Sequence, residues 1–490
     1  MTAADRPTEV PALRGSGADR SEVGTLVVGG GPAGTAVLMA ASRNGLLPEM
    51  LRRGLVVLDR RDRIGGGALN EYAINSDSAA DTFLSVLDGH PDGLLDGVAL
   101  SEEAQAIRRL GRGAVPLELA GRLLDRVGEA LGRHLRNQAC GAAMTGWHAV
   151  HTRRQDDGRW LTLVEQTPRP GVSRDTRPSP ATLRGARRWI LSTNVLVTTG
   201  GSQPEERIAE ERVGGCHLPK SRLMQSDAVV RSGGAEIIRE RFRGRAAPLA
   251  VVVGASTSAV SSAQVLLSSM PPDGRVVVLA REQLRVFYAS AAEARAEGYS
   301  FDPERDVCPL SGFVFRFGGM RFDNRELVMR AFGLGGREPE PRLSIRSLRD
   351  GAGPDPEVQA LFDRADLVVT ALGYRPNALT VLDAGGRPIP LLAHQGWRQP
   401  MVGDGGCLLD GVGNEIPGLF GIGLASGFRP PAAMGGEPSF RGQSNGLWLW
   451  QNEIGRLLAT GMVARLRAGP PTVPARPARG KKMRHDALAS

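Results

Sequence analysis

The sequence is poor in cysteine and lysine, and each shortage argues against a class of function. The four cysteines are spread along the chain, and no two of them form a CxxC or CxxxxC pair. A disulfide scaffold and a dithiol redox centre are therefore not expected. Lysine occurs only at positions 220, 481 and 482, so the net charge of +9 comes almost entirely from arginine. Since the sequence has no basic helical segment with interleaved aromatic residues, we expect no nucleic-acid partner and attribute the arginine excess to a GC-rich bacterial genome.

Long apolar runs are also missing. No stretch of about 18 apolar residues exists, which predicts that the chain has no membrane span. Residues 1–22 are polar and lack the apolar segment of a secretory signal, so we expect a disordered tail and a cytoplasmic protein. Residues 466–490 are basic and rich in proline, which predicts a second loose tail. His148 and His151 are the only histidines close together, and they alternate along a predicted strand, so no metal site is expected.

The sequence does contain a repeated pattern of buried strand, tight turn and helix. It reads "TLVVGGGPAGTAV" at 25–37 and "PLAVVVGASTSAV" at 248–260. Two such units, followed by a return to the first, predict an α/β fold in which one Rossmann-like dinucleotide-binding domain is inserted into another. We expect the first domain to be discontinuous, over 23–215 and 365–465, and the inserted domain to cover 216–364.

The first turn has the spacing of a nucleotide-binding loop. Gly29 permits the tight turn, Gly31 lets the backbone approach a pyrophosphate, and Gly34 lets the helix pack on the strand. Phosphates bind at the N-terminus of such a helix, where free N–H groups and the helix dipole favour anions. A carboxylate at the end of the next strand accepts a hydrogen bond from a ribose hydroxyl. The predicted binding residues are Gly29, Gly31, Pro32, Ala33, Gly34, Asp59 and Arg60.

The second turn has small hydroxyl residues where the first has glycine and alanine. Gly254 keeps the tight turn, and Ser256, Thr257 and Ser258 are small enough for phosphate to approach and can donate hydrogen bonds to it. We place Arg281 at the position that matches Asp59. An arginine there pairs with a 2′-phosphate, so the second site is predicted to prefer NADPH over NADH.

Further motifs resemble those of the two-dinucleotide-binding flavoproteins, in which FAD takes the first site. "VLVTTGGSQP" (195–204) and "LVVTALGYRPN" (367–377) are similar to the crossover motifs of that group, and "IPGLFGIGLASG" (416–427) is similar to the strand that reaches the flavin. The resemblance implies that Gly200, Gly373 and Gly423 contact cofactors. It also places Leu424 where the group usually has an aspartate that contacts the flavin's ribityl chain.

The order of motifs resembles the class B flavoprotein monooxygenases, and within them the N-hydroxylating enzymes that act on ornithine and lysine. "YAINSDSAADTFLSVL" (72–87) looks like their flavin loop, "VPLELAGRLLDRV" (115–127) like their proline-led helix and "TALGYRP" (370–376) like their Ala-Thr-Gly-Tyr motif. The resemblance implies an enzyme that takes electrons from NADPH and O2 as the oxidant, forms a flavin C4a-hydroperoxide and hydroxylates a heteroatom, an amine nitrogen before others, of a small metabolite. The candidate catalytic residues in the flavin loop are Asn75 and Asp77, and an Asn75 helix cap is the alternative.

Other functions stay open at this point. Baeyer–Villiger and S-oxidising monooxygenases share the architecture, although the Baeyer–Villiger fingerprint FxGxxxHxxxWP is absent and only Cys216 and His217 lie near its expected place. A non-oxygenating NADPH-dependent reductase or dehydrogenase that shares the same architecture is a further open alternative. The sequence leaves the identity of the substrate and assembly into a homo-oligomer undecided.

Overall fold

The computed structural model describes residues 20–167, 186–348, 353–395, 401–444 and 446–469. Residues 168–185, which are rich in proline and arginine, and most of both predicted tails lie outside the described residues. Residues 20–22 already belong to the first strand, and the last helix continues to Ala468, so each predicted tail is shorter than expected on its inner side. Among the described residues, no helix is both long and apolar enough to cross a membrane.

The strands are short and most are buried. In chain order they are β1 Arg20–Val28, β2 Leu55–Asp59, β3 Asn75–Ala79, β4 Ala114–Pro116, β5 Gly141–Thr145, β6 Trp147–Arg154, β7 Trp160–Gln166, β8 Arg187–Val197, β9 Gly201–Ser202, β10 Arg212–Val213, β11 Cys216–His217, β12 Leu223–Gln225, β13 Leu249–Val253, β14 Arg275–Ala280, β15 Leu343–Ser347, β16 Leu367–Thr370, β17 Arg375–Pro376, β18 Thr380–Leu382, β19 Cys407–Leu409 and β20 Glu415–Gly421.

The helices lie mostly between these strands. They are α1 Pro32–Arg43, α2 Leu47–Arg52, α3 Ala80–Leu84, α4 Asp96–Ala99, α5 Glu102–Arg109, α6 Leu117–Arg136, α7 Glu205–Ala209, α8 Ser226–Val230, α9 Gly234–Arg241, α10 Thr257–Ser269, α11 Ala291–Ala296, α12 Phe322–Phe332, α13 Pro356–Arg364, α14 Leu392–Gln395, α15 Leu447–Gln451 and α16 Glu453–Ala468.

The first sheet carries the first strand–turn–helix unit. Strands β5, β2, β1, β8 and β20 run parallel in that order, and β7 pairs antiparallel with the first half of β8 while β20 pairs with its second half. The valines and leucines of β1 and β2 are buried, as expected for a parallel sheet covered by helices on both faces. Helices α1 and α16 pack against each other over this sheet, in one hydrophobic core.

The second sheet carries the second unit, in the order β12-β16-β13-β14-β15, with every pair parallel. A separate hydrophobic cluster packs on each of its two faces. The predicted fold class, two Rossmann-like domains with the second inserted into the first, is confirmed.

The predicted domain bounds need two corrections. Strand β16 was assigned to the returning part of the first domain at 365, but it pairs with β13 and so belongs to the second sheet. Val213 also packs in the second domain's core, ahead of the predicted start at 216. The valine runs of the two sheets look alike, so only the strand pairing assigns a run to its sheet.

The chain passes between the domains twice, and the two passages pair. Strand β9, on the outgoing crossover, pairs antiparallel with β17 on the returning one. The Asn377 N–H donates to the carbonyl of Gly200 (3.0 Å), and the Ser202 hydroxyl donates to the Asn377 side chain (2.8 Å). The connection between the domains is therefore two-stranded, and we call the paired strands β9 and β17 the hinge.

Candidate functional site

Two of the three glycines of the GxGxxG motif in the first turn, Gly29 and Gly34, are required by the backbone. Gly29 has φ +109°, and a Cβ there would lie 2.3 Å from the carbonyl oxygen of Thr198. A Cβ at Gly34 would lie 2.2 Å from the carbonyl oxygen of Gly29. Any side chain at these two positions would collide with main-chain atoms, so they set the close approach of α1 to the sheet.

Gly31 is different because it borders open space. It is the N-cap of α1, and a Cβ there would meet only the Cα of Gly67, at 3.7 Å. No side chain caps the helix, which begins with Pro32 at its first position and continues with Ala33. The first N–H groups of a helix have no partner within the helix. The first turn therefore offers an uncapped helix N-terminus beside a space that a side chain at residue 31 would enter, which fits a pyrophosphate.

Asp59 is held beside this space. Its carboxylate accepts the N–H of Gly30 at 2.8 Å and the N–H of Arg61 at 2.8 Å. Burial raises the pKa of Asp59, and the two backbone hydrogen bonds partly offset that rise. A carboxylate has about four acceptor positions, so Asp59 keeps capacity for ribose hydroxyls. Arg60, its predicted neighbour in the site, is exposed.

The second turn repeats the first residue by residue. The Gly254 N–H donates to Leu279 at 2.9 Å, as the Gly29 N–H donates to Leu58 at 2.8 Å. Gly254 has φ +144°, and a Cβ there would lie 2.6 Å from the carbonyl oxygen of Ala371. Ser256 is the exposed N-cap of α10, and its side chain does not cap the helix. Thr257 and Ser258 begin α10 and are half-buried.

This equivalence corrects the predicted position of Arg281. Val28 pairs with Leu58, and Val253 pairs with Leu279. One residue further along, Asp59 therefore corresponds to Ala280, and Arg281 corresponds to Arg60. The prediction from the sequence aligned Arg281 with Asp59 and not with Arg60, because the strand register cannot be read from the sequence alone. In the second site a buried alanine thus replaces the acid, and the arginine follows it, exposed and without a hydrogen bond or ion pair to any described residue.

The two predicted crossover glycines, Gly200 and Gly373, occupy equivalent positions relative to the first and the second turn. The Thr198 N–H donates to Val28 at 2.9 Å, and the Ala371 N–H donates to Val253 at 2.8 Å. Gly200 and Gly373 each follow two residues later, with φ +73° and +84°. Each predicted crossover glycine therefore lies two residues after the residue whose N–H donates to the end of the strand that precedes its turn.

Gly423 lies over the start of α1. It has φ +76°, and a Cβ there would lie 2.9 Å from the Cβ of Ala33 and 3.8 Å from the ring of Trp450. Leu424, which stands where related sequences have an aspartate, lies against Gly201 of the hinge: a Cβ on Gly201 would be 3.1 Å from its Cβ. The structure thus brings Gly423 to the first turn and Leu424 to the hinge.

The structure places Asn75 and Asp77 in contact with the second domain. The Asn75 amide donates to Asp323 at 2.7 Å. Asn75 is not the helix cap considered as an alternative, because it begins β3 and the N-cap of α3 is Ala79, with no side-chain cap. The Asp77 carboxylate accepts the Arg321 N–H at 2.8 Å and lies 3.5 Å from the hydroxyl of Thr257. Burial raises the pKa of Asp77, and the hydrogen bond from Arg321 offsets part of that rise. A catalytic role for either residue stays a prediction.

A second interdomain contact was not predicted. Glu437 is buried, and its carboxylate accepts the N–H groups of Phe317 (3.0 Å) and Gly318 (2.8 Å) in the second domain. The adjacent Gly436 N–H donates to the thiol of Cys308 at 3.2 Å. Burial would raise the pKa of Cys308, but hydrogen bonds from Ser311, Gly436 and Arg316 lower it to about 6. Glu437 and Gly436 lie more than a hundred residues along the chain from their partners Phe317, Gly318 and Cys308, so no local pattern could have revealed these contacts.

Comparisons with known proteins agree with this geometry. No family model matches the chain. It is 32% identical over 449 residues to the CMP-5′-(3-aminopropyl)phosphonate hydroxylase of Streptomyces rubellomurinus, which covers 90% of this chain and 97% of the relative. Its fold is similar to ornithine hydroxylase PvdA from Pseudomonas aeruginosa, with a TM-score of 0.51 and 12% identity over 91% of this chain and 100% of that one. It is also similar to DfoA, the desferrioxamine-pathway cadaverine monooxygenase of Erwinia amylovora, with a TM-score of 0.51 and 10% identity over 95% of this chain and 99% of that one.

The double dinucleotide fold, with an uncapped helix after each turn, is that of a protein that binds two dinucleotides. The chain belongs to the same family as the CMP-5′-(3-aminopropyl)phosphonate hydroxylase, within the class B flavoprotein monooxygenases, which are FAD- and NADPH-dependent enzymes.

Proposed function

We propose that this protein is a monooxygenase that hydroxylates the primary amine of a small aminoalkyl metabolite carrying a phosphonate or phosphate group. The observation that carries the cofactor part is the equivalence of the two turns, which have the same backbone but differ at the end of the next strand, where Ala280 replaces the acid Asp59. The substrate class rests on the Streptomyces relative, whose name specifies an aminopropyl phosphonate joined to CMP.

The residues of the first turn fit FAD. The uncapped N-terminus of α1 would bind its pyrophosphate, with Gly31 leaving the room, and Asp59 would accept hydrogen bonds from its ribose. The buried carboxylate is held in place by two backbone N–H groups, so it needs no rearrangement to do so. Gly423 would leave room for the cofactor where the last strand passes α1.

The residues of the second turn fit NADPH. The N-terminus of α10 would bind the pyrophosphate, with Ser256, Thr257 and Ser258 donating hydrogen bonds. Ala280 brings no negative charge to the adenosine ribose, and the exposed Arg281 beside it would bind the 2′-phosphate. Asp59 in the first site would repel such a phosphate, so the two sites would not exchange cofactors.

When bound, FAD would supply the redox chemistry: two electrons taken from NADPH as a hydride would allow O2 to deliver one oxygen atom to the amine nitrogen, with the other leaving as water. The chain's own contribution is to hold the two nucleotides across the domain cleft and to exclude water from it. Asp77 closes one part of that cleft on Arg321, and Glu437 closes another on Phe317 and Gly318. Glu437 is buried and Asp77 is half-buried, so both contacts would limit the access of water to the cleft.

The test is product formation with purified, FAD-loaded protein and NADPH. The panel comprises 3-aminopropylphosphonate, its CMP conjugate, cadaverine, ornithine and lysine, with a ketone and a sulfide for the alternative oxygenations. We expect NADPH consumption matched by a product that carries one added oxygen on nitrogen, for a phosphonate-bearing amine before the others. If NADPH reduces the flavin but hydrogen peroxide is the only oxygen product with every compound of the panel, the result would instead indicate a reductase. Oxygenation of the ketone or the sulfide would indicate an alternative monooxygenase.

A further inference from the structure

A carboxylate and two tyrosines meet at the hinge, outside both dinucleotide turns. The hydroxyl groups of Tyr72 and Tyr374 donate to the same oxygen of Asp227, at 2.6 and 2.5 Å, and lie 2.9 Å from each other. Burial raises the pKa of both tyrosines, and the hydrogen bond to Asp227 raises each further. Both phenols therefore stay protonated and act as donors at any working pH.

The three residues come from three parts of the molecule. Tyr72 lies in the first-domain loop after β2, Tyr374 lies on the returning crossover, and Asp227 lies in α8, which packs on the second domain. The outgoing crossover also reaches α8, because Gln203 accepts the Asp227 N–H at 3.0 Å and donates to Ser226 at 2.9 Å. Asp227 is thus bonded to the first domain through Tyr72 and to the residues next to both hinge strands, Gln203 after β9 and Tyr374 before β17.

The main chain reinforces this contact. The Ala73 N–H donates to the carbonyl of Val230 at 3.0 Å, and the Ser232 N–H donates to the carbonyl of Glu71 at 2.8 Å. In the loop, the two bonds lie on either side of Tyr72, and they join it to the residues at the end of α8 and just after it. The loop and the helix are therefore fixed in a single register across the domain boundary.

Charges link the cluster to the first turn. Arg231 donates to the second oxygen of Asp227 at 2.7 Å, and it also pairs with Glu71. Glu71 pairs in turn with Arg61, whose N–H donates to Asp59. A continuous chain of bonds thus runs from the hinge to the carboxylate predicted to bind the ribose of FAD.

We propose that Asp227, through Tyr72 and Tyr374, is a positioning residue that holds the second domain at the angle where bound NADPH meets the flavin. The proposal rests on the proposed use of FAD and NADPH. Hydride transfer requires the reacting atoms about 3–3.5 Å apart, and a misplacement of about 1 Å can lower the rate by about 100-fold. A small rotation at the hinge changes that distance without altering either nucleotide site.

The experiment compares wild type with Tyr72→Phe, Tyr374→Phe and the double variant. The matched control is Tyr299→Phe, which removes a buried tyrosine hydroxyl bonded only within the second domain, to Leu284 at 2.7 Å and Val286 at 3.1 Å. Flavin reduction by NADPH is followed without oxygen over a range of NADPH concentrations, which separates the reduction rate from the Kd for NADPH. Hydrogen exchange at residues 71–73 and 230–232 is measured on the same proteins without NADPH.

We expect the double variant to be reduced about tenfold more slowly, with the Kd for NADPH changed less than about twofold and the FAD content unchanged. Exchange at the two paired segments should rise in it and stay at the wild-type level in Tyr299→Phe. If the double variant loses thermal stability like Tyr299→Phe while its reduction rate stays at the wild-type value, the cluster is merely structural. Wild-type reduction without any hydroxylated product would sink the proposed function alone, whereas a wild-type flavin that NADPH does not reduce would overturn both.

Discussion

The two dinucleotide turns follow one backbone path and differ in what surrounds it. In the first, the space at the helix N-terminus is opened by Gly31 and flanked by a buried carboxylate, Asp59. In the second, the exposed Ser256 takes the glycine's place, and Ala280 with Arg281 takes the place of the acid and its neighbour. The two sites thus share an uncapped helix N-terminus that fits phosphate. They differ in the residue at the end of the next strand, which we expect to set the nucleotide that each site favours.

The largest expected effect separates the two roles of glycine in the first turn. Gly29→Ala should destabilise the fold by roughly 2–4 kcal/mol, because the new Cβ collides with the Thr198 carbonyl and φ is positive. Gly31→Ala should change the free energy of unfolding by less than about 0.5 kcal/mol but lower FAD retention. Urea unfolding and flavin content after gel filtration measure the two effects. Equal losses of stability in both variants would show that Gly31 also serves only the turn.

Reversing the charge at Arg281 tests the second site. Arg281→Glu should raise the KM for NADPH by about 10- to 100-fold, since it removes a charge-assisted phosphate contact and adds a repulsion. The KM for NADH should change little. Arg207→Glu, the same charge change on the exposed face of α7, is the control. An equal rise of KM for both nucleotides would contradict a 2′-phosphate contact.

Introducing the first site's acid into the second sharpens the comparison. Ala280→Asp places a carboxylate at the position equivalent to Asp59, where the Ala255 N–H stands as the Gly30 N–H does in the first turn. We expect the KM for NADPH to rise by about tenfold and the KM for NADH to fall severalfold, because the acid repels the phosphate and accepts from a free ribose hydroxyl. Ala280→Ser is the neutral control, and steady-state kinetics with both nucleotides is the measurement. An unchanged NADPH-to-NADH preference would mean that the register equivalence does not govern specificity.

The smallest expected effect concerns the buried carboxylate between the domains. Asp77→Asn should raise the Tm by about 1 °C near pH 7, because burial raises the pKa of Asp77 and the charged form therefore costs stability. The raised folded pKa means that this cost appears as the pH rises above the ordinary aspartate pKa of about 3.9, so the gain should vanish below it. The exposed carboxylate of Asp62 provides the control Asp62→Asn. A variant less stable than wild type at every pH would show that the charge itself holds the contact with Arg321.

The sequence predicted the architecture well for a physical reason. A strand buried on both faces, a glycine turn and a helix are local patterns, so the units at 25–37 and 248–260 could be read directly. The strand β16 was assigned to the wrong sheet because a buried valine run carries no mark of its neighbours. Arg281 was placed one residue early for the same reason, since the equivalence with Arg60 depends on strand pairing.

The sequence by itself determined that two nucleotide turns exist and that no cysteine pair accompanies them. Both follow from residues that are neighbours along the chain. Only the tertiary structure decided that Asn75 and Asp77 face the second domain, that Glu437 accepts the N–H groups of Phe317 and Gly318, and that Tyr72, Asp227 and Tyr374 meet at the hinge. Tyr72 and Tyr374 are separated by 302 residues. Contacts of that range are set by how the two sheets pack and how the paired crossovers turn, and no local pattern encodes them.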